Sequence, residues 1–149
     1  MINTVNEINI SYSPNKEYLE GCSISSSQDS FDLLYSLFHQ DTIYLREEFI
    51  ILYLNRGNKV LGYCKAFTGG VSGVICDPKI ILAIALKGLA SAIILAHNHP
   101  SGNRRPSEQD KNLTKKVKLA ANEMDIQLLD HLIITPNGGY FSFADEGMI

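Results

Sequence analysis

Tryptophan is absent from this chain and cysteine is scarce, with Cys22, Cys64 and Cys76 the whole complement. The number is odd and no pair has Cys-x-x-Cys spacing. This excludes a disulfide framework and fits a reducing cytoplasm, where the protein is expected to reside. An excess of positive charge is also lacking. Thirteen Lys and Arg stand against 16 Asp and Glu, a net charge of −3. That excludes a nucleic-acid binder driven mainly by global electrostatics, but not a local basic patch. Long apolar runs are missing as well. The most apolar stretch, residues 80–96, is interrupted by Lys87 and Gly88 and ends at His97-Asn98-His99. It reads as a buried helix followed by a buried strand, not a membrane span. The first residues, MINTVNEINI, have neither a basic start nor a continuous apolar core, so no secretory signal is expected. No repeat or low-complexity block is visible. What remains is ordinary globular composition, 45% hydrophobic and 19% charged over 149 residues. That length suits one compact core.

The order of elements follows from periodicity and punctuation. Residues 3–12 alternate imperfectly, as an edge strand does, and residues 13–26 read as a polar connecting arm with Pro14 and Gly21. Ser27 is placed to cap a helix from about Gln28 to His39, whose Phe31, Leu34, Tyr35 and Phe38 share one face. Residues 49–55 and 59–67 are β-rich around Arg56-Gly57-Asn58, a hairpin signal. Gly69, Gly70 and Gly73 precede a short strand at 74–76. Asp77-Pro78 then opens a helix to about Gly88. Residues 91–96 form a buried strand, 100–106 a loop, and 107–124 a helix with Leu113, Val117, Ala120 and Ala121 inward. Strands at 128–135 and 140–143 close the order β-α-β-β-β-α-β-α-β-β. This mixed order predicts an α/β fold, a three-layer α/β/α sandwich around one mixed sheet.

The chemistry concentrates in the segment HNHPSGNRRPSEQD. His97 and His99, two residues apart at the end of an apolar strand, project to the same side of an extended chain. Asp110 stands in the first turn of the next helix, and Pro100 and Pro106 stiffen the loop between. Two imidazoles and one carboxylate make a three-ligand set with an open fourth position, the arrangement a catalytic zinc requires. Ser107 and Asp110 also read more simply as helix N-cap and N3 of a capping-box start, stabilising by roughly 1 kcal/mol. The two readings are compatible. The consecutive letters His-Asn-His do not make an HNH nuclease, whose motif is dispersed over a ββα unit. A cytidine-deaminase zinc site lacks its Pro-Cys-x-x-Cys half here.

His97-x-His99, seven residues, Ser107, two residues and Asp110 is the spacing of the JAMM (MPN-plus) metalloprotease motif. More closely, HNHPSGN, PSEQD, LLDHLIIT and YFSFADEG resemble the C-terminal domain of the RadC family, from about Ser25 to Ile149. The resemblance implies a JAB/MPN, cytidine-deaminase-like fold, with residues 1–26 as an N-terminal arm and 27–149 as the metallohydrolase domain. It implies Zn2+ held by His97, His99 and Asp110, with Ser107 steadying the water or developing oxyanion. It also implies an upstream glutamate as general base. From the residues alone, Glu47 and Glu48 are hard to separate, since both begin an apolar strand and each has a bland reading as a solvated strand start. The family's Arg-Glu-x-Phe, met here as Arg46-Glu47-Glu48-Phe49, selects Glu47. The helix-hairpin-helix module that often precedes this domain is not seen, and the chain reads as the short, stand-alone form.

The leading function is therefore a zinc-dependent hydrolase of peptide or isopeptide bonds, acting on a protein or peptide. The family's naming links it to DNA repair. The competing reading is a non-catalytic metal-binding module in DNA repair, recombination or mobile-element biology. A metal-dependent nuclease lacks the acidic cluster of two-metal chemistry. Arg104, Arg105, Lys111, Lys115, Lys116 and Lys118 form a basic cluster beside the site, either a solvated helix face or a docking surface. DNA contact through it is expected to be weak. The N-terminal arm is a candidate for pairing with another subunit. On a buried strand, Asp130-His131 reads first as a hydrogen-bonded core pair.

Overall fold

The computed structural model describes residues 21–68 and 76–149. Its elements run α1 (Ser27–Leu37), β1 (Glu48–Leu54), β2 (Val60–Thr68), α2 (Pro78–Lys87), β3 (Ala92–Asn98), α3 (Glu108–Asn122), β4 (Gln127–Ile134) and β5 (Tyr140–Ser142). The strands form one sheet in the order β2-β1-β3-β4-β5. β1 pairs antiparallel with β2 and β3, β3 and β4 run parallel with α3 as their crossover, and β5 returns antiparallel. The mixed α/β fold agrees with the sequence reading. The expected first strand, 3–12, lies outside the described residues, as does the 74–76 strand apart from Cys76, which is not in a strand.

β1 and β3 are buried along their whole length because both sheet faces are covered. That is why they read as unbroken apolar runs. On one face Ile50, Leu52, Leu54, Ile94, Ala96 and Leu132 pack against Phe31 and Leu34 of α1. On the other, Phe49, Ile51, Tyr53, Ile93 and Leu95 pack against Ile81 and Ala85 of α2 and Val117 and Ala121 of α3. These are the three layers.

Local chemistry fixes the ends of the elements. Asp77 caps α2 through a 2.9 Å bond from Lys79 N–H, with Pro78 in the first turn and Gly88 at the end. The β1–β2 turn is held by Asn55, whose side chain accepts from the N–H of Gly57 and Lys59, while Asn58 takes the left-handed conformation at φ 57°. The cap of α1 is Ser26 rather than Ser27. Three consecutive serines left that register ambiguous. Asp29 decides it: counted from Ser26 it is N3, and its carboxylate accepts both N–H and O–H of Ser25. Just before the helix, the arm's last residues lie beside the hairpin turn, where Ser23 bridges Lys59 and Ile24 is buried. α1 also ends earlier than expected, at Leu37, which leaves His39 beyond the helix. Among the described residues no helix is long and apolar enough to cross a membrane.

Candidate metal centre

The site forms where β3 runs out of the sheet. Phe49 pairs with His97, and their rings stack at 5.6 Å. His97 thus lies on the α2/α3 side of the sheet, 3% exposed. His99, two residues on, projects to the same side. Its backbone stays tied to the sheet through a bond to the Ile134 carbonyl, before Pro100-Ser101-Gly102 turns the chain, with Gly102 at φ 79°. The loop returns the chain to Ser107, where the capping box is complete. Ser107 Oγ accepts from Asp110 N–H at 3.1 Å, and Asp110 Oδ2 accepts from Ser107 N–H at 2.7 Å. The cap therefore aims the carboxylate as well as starting the helix.

The result is convergence of three ligand atoms. His97 Nε2 and His99 Nε2 are 3.0 Å apart. Asp110 Oδ1 is 3.2 Å from the first, and Oδ2 is 3.7 Å from the second. Ligands held about 2.0–2.1 Å from a tetrahedral zinc stand roughly 3.3–3.4 Å apart. The observed spacings bracket that value, so these residues fit a metal ion. Charge supports the same conclusion. Burial alone would raise the Asp110 pKa, but hydrogen bonds from His97 and His99 overcome it and hold the carboxyl well below the usual range. Burial would lower His99, yet its bonds to Asp110 and to the Asn103 carbonyl, with the charges of Asp110 and Glu47, leave it raised.

The ligands sit in a cleft of about 680 Å³, lined also by Glu47, Phe49, Ser107, Gln109, Leu113 and Lys116. Continuing the β1–β3 register two residues past Phe49–His97 sets Glu47 opposite His99. Glu48 lies on the other face of the sheet and is no solvated strand start. It is buried, accepting a 2.9 Å bond from Thr42 Oγ1 with Arg46 at 3.6 Å. Sheet alternation thus separates two adjacent acids that composition could not. Ser107 also faces the cleft. Its O–H hydrogen is uncommitted among the described residues.

Three residues that the sequence reading did not place in the site support it. Asn98, fully buried, faces the opposite layer and clamps the segment leading into β1. Its Oδ1 accepts from Glu48 N–H at 2.7 Å, and its Nδ2 donates to the carbonyls of Ile43 and Arg46 at 2.8 and 2.9 Å. His131, fully buried, contacts His97 Nδ1 at 2.9 Å and Thr114 Oγ1 at 2.6 Å. Burial pushes its pKa well down, so the ring is neutral. Thr114 takes the inward position of α3, while Leu113, expected there, lines the cleft. Each had a signal in the sequence. Asn98 is polar within a buried strand, and Thr114 lies one turn after Asp110. Asp130, at a bulge in β4, accepts from Ser142 Oγ, Ala144 N–H and His131 N–H and ties β5 to β4.

Of the basic cluster, Arg105 and Lys116 line the cleft and Lys111 is paired with Glu108 at 2.6 Å. The Arg104 guanidinium lies over Gly139, where a Cβ would come within 2.6 Å of it.

Residues 24–148 match the family model of the RadC-like JAB domain. The chain belongs to that family. Its curated relatives include UPF0758 proteins of Porphyromonas gingivalis, 51% identical over 104 residues, Flavobacterium johnsoniae, 42% over 125, and Aquifex aeolicus, 41% over 127. These matches cover 70%, 84% and 85% of this chain and 46%, 53% and 53% of the relatives. The chain thus spans about half the length of the curated relatives it matches. The two histidines and the aspartate lie inside the RadC-like JAB match, so the family's domain contains the candidate centre.

Proposed function

We propose that this RadC-like domain is a zinc-dependent hydrolase of peptide or isopeptide bonds. The carrying observation is the convergence of His97 Nε2, His99 Nε2 and Asp110 at the floor of an open cleft whose wall carries Glu47. Two imidazoles with one carboxylate suit zinc, which when bound lowers the pKa of a water and polarises a carbonyl. The chain's own residues supply the rest. Glu47 accepts a proton from the attacking water and returns it to the leaving amine. The Ser107 hydroxyl, its acceptor side already used by the helix cap, donates to the oxygen where negative charge develops. Phe49 and Leu113 give the cleft apolar walls, suited to a protein or peptide segment. The three free thiols fit a reducing cytoplasm, where we place the protein.

A non-catalytic metal-binding module in DNA repair is the competing reading, favoured by the positive charge of Arg105 and Lys116 at the cleft. Elemental analysis of wild type and His99→Ala, with hydrolysis of peptide and isopeptide substrates, separates the two. About one zinc per wild-type chain, lost in the variant, is expected together with cleavage. Equal zinc content in both proteins would remove the metal assignment. Zinc without cleavage of any substrate would favour the competing module.

A further inference from the structure

The hydrogens behind the site can be counted. Thr114 Oγ1 lies 2.6 Å from the Asp110 carbonyl oxygen and 2.6 Å from His131 Nδ1. A contact that short between electronegative atoms needs a hydrogen between them. The carbonyl has none, so the single Thr114 hydroxyl hydrogen points to it. His131 Nδ1 must then supply the hydrogen for its own contact with Thr114. A neutral ring carries only one, which leaves His131 Nε2 bare as an acceptor. The partner 2.9 Å away, His97 Nδ1, is therefore the donor. His97 then needs no hydrogen on Nε2, the atom facing His99 and Asp110. For His99, the Asn103 carbonyl, 2.7 Å from Nδ1, performs the same task in one step.

We infer that Thr114 and His131 are positioning residues of the centre, a directed hydrogen-bond relay from the Asp110 carbonyl to His97 Nδ1 that keeps His97 Nε2 bare for a metal ion. The inference rests on His97, His99 and Asp110 being ligands. It adds that the third ligand's own backbone sets the tautomer of the first, so α3 and β3 are coupled through hydrogen-bond direction as well as through packing. The rings of Phe49 and Phe143 flank His131 at 5.6 and 4.9 Å and keep it from tilting to other partners.

Thr114→Val tests the relay, because valine keeps the shape and removes the hydroxyl. His131 Nδ1–H would lose its acceptor, the hydrogen would move to Nε2, and His97 would be driven to the tautomer that blocks its ligand atom. Zinc affinity measured by chelator competition should fall roughly 10–100-fold, the usual effect of losing an outer-shell partner. Thr114→Ser should restore it. Imidazole nitrogen NMR of the wild type should show His131 with hydrogen on Nδ1 and a bare Nε2, a signature that packing alone does not dictate. Wild-type affinity in Thr114→Val, or a wild-type His131 carrying hydrogen on Nε2, would overturn the relay while leaving the metal assignment standing. Wild-type protein that binds no zinc would overturn both.

Discussion

Replacing Asn98 with leucine is expected to destabilise the fold by about 2–4 kcal/mol and to detach Glu47 from the site. The side chain is fully buried and makes three hydrogen bonds, of 2.7, 2.8 and 2.9 Å, to the segment between α1 and β1. Leucine has similar bulk but offers none of them. The Glu48 N–H and the Ile43 carbonyl lose their bonds in a buried setting, and a stranded buried group costs about 1–3 kcal/mol. The Arg46 carbonyl is only partly buried and can turn to water, so it adds little. Against a loss of roughly 2–6 kcal/mol, burying leucine in place of an amide returns about 1–2 kcal/mol. The net is a large share of the roughly 5–15 kcal/mol that holds a domain of this size. Urea unfolding followed by circular dichroism measures it, with the slope expected to stay unchanged. Asn98→Asp is a sharper companion. It keeps the acceptor for Glu48 N–H but turns an oxygen toward two carbonyls. It should therefore also destabilise, despite near-identical shape. A loss below about 1 kcal/mol in both variants would refute the clamp, since no compensation on this scale is available from packing.

Glu47→Gln should keep zinc and fold while hydrolysis falls roughly 10²–10⁴-fold, because an amide cannot accept the proton. Glu48→Gln should leave activity near wild type, and the reverse pattern would show that the roles of the two acids have been exchanged. Cys76, whose thiol is pushed up to about 12 by burial and by the charge of Asp77, should resist iodoacetamide at pH 8. Exposed Cys22 should be labelled first, and mass spectrometry of the early adduct decides it. DNA binding by this 149-residue chain should be weak and fade as salt approaches physiological strength. With Lys111 engaged by Glu108 and a net charge of −3, only a few phosphates can be neutralised. Fluorescence anisotropy showing tight, structure-selective binding at physiological salt would contradict this.

Strong local signals were enough for much of the architecture. Asp77-Pro78 marks the start of α2, Arg56-Gly57-Asn58 the hairpin, and unbroken apolar runs the two central strands, because caps, turns and double-sided burial each leave a mark within a few residues. His97, His99 and Asp110 were legible for the same reason: one strand end, one loop and one helix start carry all three. Other questions needed the third dimension. Glu47 and Glu48 are chemically alike neighbours, and only the layer each faces tells the cleft acid from the buried partner of Thr42. Ser26 and Ser27 differ only in their distance from Asp29. Asn98 reaches residues more than fifty positions away, and His131 meets His97 and Thr114 from a strand thirty-four and seventeen positions distant. Sequence holds local preference and periodicity. The direction of a hydrogen bond between distant elements exists only once the sheet has brought them within 3 Å of each other.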